Sequence, residues 1–97
     1  MKLNELQIGA EIYISKHVSG YQHMLKCEYL GLKKGRILGK IISISPEWAT
    51  GYYFNVSEIT CNKNKCSIYK EDKELSKRHS FIYKRHYWLN PKTLEFK

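Results

Sequence analysis

Ninety-seven residues, 42% apolar and 27% charged, predict one small globular domain spanning 1–97 and exclude a disordered chain. Seventeen Lys and Arg against nine Asp and Glu leave a net charge of +8, which favours an acidic partner, either nucleic acid or an acidic protein. No apolar run is long enough for a membrane span and no export or lipidation signal is visible, so no membrane partner is expected. The expected location is the cytoplasm, of the protein's own cell or of an infected host cell.

Short stretches rich in Ile, Tyr and Phe recur between Gly, Pro and Asn, which is the pattern of an all-β chain. Residues 10–16 alternate, with Ile12 and Ile14 on one face and Glu11, Tyr13 and Ser15 on the other. Residues 21–30 form a second predicted strand, followed by a basic turn at Lys33, Lys34 and Gly35. Residues 36–45 form a third. There Leu38, Ile42 and Ile44 share one face, Ile37 and Ile41 the other, and Gly39 is the place for a bend or bulge.

A loop at 46–51 leads to a fourth strand at 52–60, in which Tyr52, Phe54 and Val56 alternate against Tyr53 and Asn55. Asn62, Lys63, Asn64 and Lys65 read as a tight hairpin loop, since Asn tolerates left-handed backbone, with 66–70 returning. Residues 71–78 are the single predicted helix, acidic early and basic late as the helix dipole prefers. Strands at 81–89 and 94–97 complete the set. The expected fold class is all-β (β-dominated), a small, strongly bent SH3-like or OB-like barrel with one short helix, because closure leaves no sheet edge open. Residues 6–12, with Gly9 ahead of the first alternating strand, resemble the opening of SH3-like barrels; the resemblance covers under ten residues and implies a fold only. Leu38, Ile42, Ile44 and Phe54 are expected among the most protected positions.

The charge is uneven. Residues 1–60 carry seven Lys/Arg and five Asp/Glu, a balance of +2, whereas residues 61–97 carry ten and four, a balance of +6. Within the second part, residues 77–88 repeat a Lys-Arg-His triplet and interleave it with four aromatic residues and Ile82. Cations hold phosphates and rings stack on bases. The nucleic-acid-binding candidates are therefore Lys77, Arg78, Lys84 and Arg85 for phosphates and Phe81, Tyr83 and Tyr87 for stacking. Lys33, Lys34 and Arg36 form a second basic cluster suited to phosphate contact. A solvated face beside a half-buried strand has a similar composition. Thirteen aromatic residues nevertheless exceed what a small barrel can bury, so some rings face solvent or a partner.

No paired carboxylates, metalloprotease helix, nucleophile elbow or phosphate loop occurs, so non-catalytic binding is expected. Three cysteines, an odd number without an export signal, favour reduced thiols. Cys61 and Cys66, flanking the expected hairpin, could join Cys27 and one of His17, His23, His79 or His86 around zinc, or could form a redox disulfide. Structural thiols are the simpler reading, with no cofactor. The Ile, Lys, Asn and Tyr bias fits an AT-rich coding source, such as a low-GC bacterium or its phage. A second function therefore stands beside nucleic-acid binding: a small phage or mobile-element accessory or inhibitor protein whose basic, aromatic face docks on an acidic host protein. Exposed edge strands would also allow a homodimer.

Overall fold

A computed structural model describes residues 1–18, 20–43 and 58–97. Six strands form one antiparallel sheet: β1 (Glu11–Val18), β2 (Tyr21–Lys33), β3 (Arg36–Ser43), β4 (Glu58–Cys61), β5 (Cys66–Glu71) and β6 (Lys84–Trp88), in the order β4-β3-β2-β1-β5-β6. One helix, α1 (Lys73–His79), lies in the β5–β6 connection. The chain is thus β-dominated with one short helix. Among the described residues no ladder joins β4 to β6, so the sheet does not close into a barrel.

The alternation expected of β1 holds. Ile12 and Ile14 are fully buried, while Glu11 and Tyr13 lie on the opposite face. Ser15 shares that outer face but is covered, its hydroxyl accepting a hydrogen bond from the Gln22 amide. β2 is long enough to pair with β1 through residues 21–28 and with β3 through residues 26–33. Two register breaks bend this second ladder. Leu30 is the extra residue between the Tyr29↔Gly39 and Gly31↔Leu38 pairs, and Ile42 is the extra residue between Lys26↔Ser43 and Cys27↔Ile41. The bulge near Gly39 is therefore on the partner strand. Gly39 itself admits the core: a Cβ there would sit 2.9 Å from Cys27 Cβ and from Ile14 Cδ1.

The core face of β3 corrects the expected one. Ile37 is fully buried and Ile41 packs against the core, whereas Ile42 is 56% exposed. Periodicity alone could not choose between two apolar faces; the alternation that turns Ile37, Gly39 and Ile41 inward leaves Ile42 on the outer face. Ile44, Phe54 and the other strand and loop positions expected at 46–57 lie outside the described residues. The fourth strand is seen only over Glu58–Cys61.

The hairpin expected at 62–65 is also corrected. The strands on either side of this four-residue loop, β4 and β5, are not neighbours in the sheet, and no residue from Asn62 to Lys65 has positive φ. Instead Lys63–Lys65 makes a single 3₁₀ turn, with the Lys65 amide donating to the Asn62 carbonyl at 3.0 Å. The chain crosses from β4, paired with β3, to β5, paired with β1 and β6. Cys61 lies opposite Ile37 and Cys66 opposite Ile14, so the two cysteines do not face each other across a ladder.

The tight turn occurs between β2 and β3. Lys34 and Gly35 both have positive φ, 51° and 76°, between the paired residues Lys33 and Arg36. That handedness matches the twist of the flanking strands. Residues 94–97 form no full strand. Bridges Lys2↔Glu95 and Leu89↔Phe96 bring the two chain ends together, burying Leu3, Leu89 and Phe96 beside Ile68. No helix among the described residues is long and apolar enough to cross a membrane.

Candidate nucleic-acid interface

The α1 insert is built on Asp72. Its carboxylate caps the helix by accepting from the Leu75 amide at 3.0 Å, and its second oxygen lies 3.0 Å from Arg85 Nε. The Asp72 amide donates to the Tyr83 carbonyl at 2.8 Å. Ser76 ties the far side: its hydroxyl donates to the Asp72 carbonyl at 2.7 Å and accepts from the Tyr83 amide at 2.9 Å. Both ends of the insert are therefore clamped to one another. At the helix C-terminus Ser80 adopts the left-handed conformation, φ 56°, and reverses the chain. This is why β6 starts at Lys84 and the strand expected from residue 81 does not: Phe81 and Ile82 form a projecting turn between the cap and the Tyr83 clamp.

The turn gathers five of the ten candidates. Lys77, Arg78 and Lys84 are exposed around it, Phe81 is 60% exposed and Tyr83 is half-buried. His79 joins the rings, stacked on Tyr83 at 5.4 Å with an interplanar angle of 22° and tilted against Phe81 at 5.6 Å. Ile82, 69% exposed, is the functional candidate that sequence reasoning passed over, because an isoleucine between rings reads as a core residue of a strand.

The other two candidates of the segment face a different way. Strand alternation puts Arg85 and Tyr87 on the side of Ile68, since Lys70↔Arg85 and Ile68↔Tyr87 are cross-strand pairs. Tyr87 packs against the core, its ring flanked by Lys70 Nζ at 4.7 Å and Arg85 Cζ at 4.9 Å. Arg85 thus has an ion pair with Asp72 and a cation–π contact with Tyr87. Lys33, Lys34 and Arg36 are all exposed at the β2–β3 tip, where β2 and β1 separate the tip from β5 in the sheet.

A second aromatic group lies on the outer face, assembled by register alone. Tyr13 of β1, Tyr69 of β5 and His86 of β6 pack with centroids 4.5 to 5.6 Å apart. The Tyr13 hydroxyl donates to Glu11 at 2.8 Å, and burial, with that hydrogen bond, pushes its pKa up to about 12. Glu11 also pairs with Lys26 at 3.4 Å, so cation charge on this face is partly neutralised. Two clefts of about 380 Å³ flank the 3₁₀ turn, one bordered by Trp88, His17 and Lys65, the other by Leu32, Lys2 and Lys63. The Phe81–Ile82 turn borders neither.

Cys27, Cys61 and Cys66 are all in the core. Among the described residues no three His, Cys, Asp or Glu side chains are placed to hold a metal ion. Burial raises the thiol pKa values to about 12, 11 and 12; at Cys61 the charges of Lys16, Arg36 and Lys65 work against it. The native state therefore holds these protons more firmly than the unfolded chain. Their contribution to stability is full below the ordinary value of 9.0 and is lost as pH rises toward 11 to 12. At pH 8 a small thiol reagent is expected to label the native protein slowly and the denatured protein rapidly at all three positions. Rapid labelling of the native protein would contradict this burial.

Comparisons with protein-family models, curated proteins and solved structures find no match to this chain.

Proposed function

We propose that this chain is a non-catalytic nucleic-acid-binding protein whose contact surface is the α1–β6 turn. The observation that carries the reading is the exposed Phe81 ring, tilted against His79 and Tyr83, with exposed Lys77 and Arg78 shortly before it in the chain and exposed Lys84 shortly after. Rings supply stacking surfaces and the cations supply phosphate contacts. Lys33, Lys34 and Arg36 add a second phosphate-contacting tip. The fold proposed for it is a strongly bent, SH3-like or OB-like roll; the two register breaks in the β2–β3 ladder support that curvature.

Salt dependence tests the reading. Each phosphate neutralised releases counterions, so affinity falls by roughly 0.7 to 0.9 log units per phosphate for each tenfold rise in salt. Changing Lys77 and Arg78 together to Ala is expected to weaken binding and flatten that slope by about two phosphates' worth, with thermal stability unchanged. Arg85→Ala should change the slope less, because Asp72 already engages that guanidinium. An unchanged slope in the Lys77/Arg78 double variant would remove this surface from the interface.

The second reading, docking on an acidic protein by a phage or mobile-element accessory protein, is favoured by Ile82, whose exposed side chain has no ring to stack. If the protein binds neither single- nor double-stranded DNA or RNA at low salt, this reading replaces the first.

A further inference from the structure

Phe81 and Ile82 are adjacent, 60% and 69% exposed, and stand on a turn that is held at its base. On one side the Ser80 amide donates to the Lys77 carbonyl at 3.4 Å, closing the left-handed cap. On the other, Tyr83 is bonded through both its amide and its carbonyl to Ser76 and Asp72. A turn fixed in this way presents its two apolar side chains without further ordering, so little conformational entropy is lost on contact.

Two adjacent apolar side chains on an exposed, basic turn do not suit a single strand as well as they suit a duplex. A single-strand platform offers successive flat rings, and Ile82 has none. Minor-groove binders, by contrast, insert Phe, Ile, Leu or Met between base steps while nearby cations hold the phosphates on either side. Here Lys77 and Arg78 precede the two apolar residues in the chain and Lys84 follows them, and all three are exposed. A lipid surface fits less well. Two side chains bury far less apolar area than one myristoyl chain, and one myristoyl chain alone gives only marginal membrane binding.

We propose that Phe81 and Ile82 form an apolar wedge that enters a base step of double-stranded nucleic acid through the minor groove and partly unstacks it. This rests on the nucleic-acid reading above and specifies its substrate as a duplex. Flexible pyrimidine–purine steps, which unstack at least cost, are the preferred sites.

The experiment uses the full chain and a duplex carrying the fluorescent base 2-aminopurine at a central pyrimidine–purine step, at low salt. Saturating wild-type protein is expected to raise the fluorescence several-fold as the base loses its stacking partner. A Phe81→Ala, Ile82→Ala double variant should bind more weakly but with the salt slope of the wild type, and at saturation should leave the fluorescence at its free-duplex level. Both side chains are exposed, and a thermal melt matching the wild type shows that the fold is kept. A Lys77→Gln, Arg78→Gln variant should need more protein to saturate but reach the same final fluorescence. The wedge is overturned if wild-type protein binds the duplex without a fluorescence rise, if the double variant gives the same rise, or if only single strands or anionic vesicles are bound. Absence of binding to every nucleic acid instead removes the underlying function, and the two failures are told apart by the binding isotherm alone.

Discussion

Ile14→Ala is expected to remove a large part of the stability of this protein, about 2–5 kcal/mol, against a total that for a domain of this length is roughly 5–15 kcal/mol. Ile14 is fully buried at the centre of β1, paired with Leu25 of β2 and Cys66 of β5, and its Cδ1 fills the space that Gly39 leaves open. Truncation loses the transfer free energy of three carbons and opens a cavity that strands on both sides cannot collapse into without breaking ladders. Ile14→Val, which removes one methylene, should cost about 0.5–1.5 kcal/mol. In urea the midpoint should fall with the slope preserved, since the surface exposed on unfolding is unchanged. Ile42→Ala is the informative control, because the apolar pattern of β3 places Ile42 in the core while the structure leaves it 56% exposed. It should cost within about 0.5 kcal/mol, as surface changes usually do. Equal losses at Ile14 and Ile42 would mean that the register of β3 is not the one described.

Asp72→Ala should act on binding as well as on stability. It removes the acceptor for the Leu75 amide and the anion facing Arg85 in one change. The lost cap should cost about 0.5–2 kcal/mol; the ion pair, formed by a solvent-exposed guanidinium, adds little. Amide exchange across residues 73–84 should accelerate, because the clamp that carries the Phe81–Ile82 turn is weakened while the rest of the sheet is untouched. Nucleic-acid affinity should fall several-fold even though a negative charge has been removed. Asp72→Asn separates the two effects. Asn caps about as well as Asp, so the turn stays in place, and the released Arg85 makes the surface more basic. Affinity should then rise above that of the wild type. If Asp72→Ala and Asp72→Asn bind alike, the geometry of the turn has no part in recognition and net charge alone explains the affinity.

The local features were legible where one residue decides the backbone. The acidic-to-basic order of residues 71–78 marked α1 to within two residues at its start, since the helix dipole acts within one turn. Gly35 after Lys34 marked the β2–β3 turn, which needs positive φ at both positions. Ile12 and Ile14 marked the core face of β1 because only one of its faces is apolar. The basic–aromatic segment also identified the region of the candidate interface, but not its shape. As one extended strand it would alternate its rings and cations on two faces; the left-handed Ser80 instead splits it into a helix end, a projecting turn and an edge strand.

What the sequence by itself determined is therefore the β-dominated class, the short helix, the basic excess in residues 61–97 and the residues that could meet an anion, all properties of composition or of interactions within a few residues. The tertiary structure decided which strands are neighbours, and with that nearly everything about the surface. Asn62 to Lys65 could have closed a hairpin or crossed the fold, and the pairing of β5 with β1 in the sheet, not local propensity, goes with the crossing. The same long-range pairing brought Tyr13, Tyr69 and His86 together from three strands, turned Tyr87 toward the core and gave Arg85 its carboxylate. Such juxtapositions depend on register between segments distant in the chain, and a single sequence has no periodicity that encodes them. Phe81 and Ile82 are exposed for the complementary reason. The clamp at Asp72, Ser76 and Tyr83 satisfies the backbone of the insert without them, leaving two apolar side chains with no place in the core.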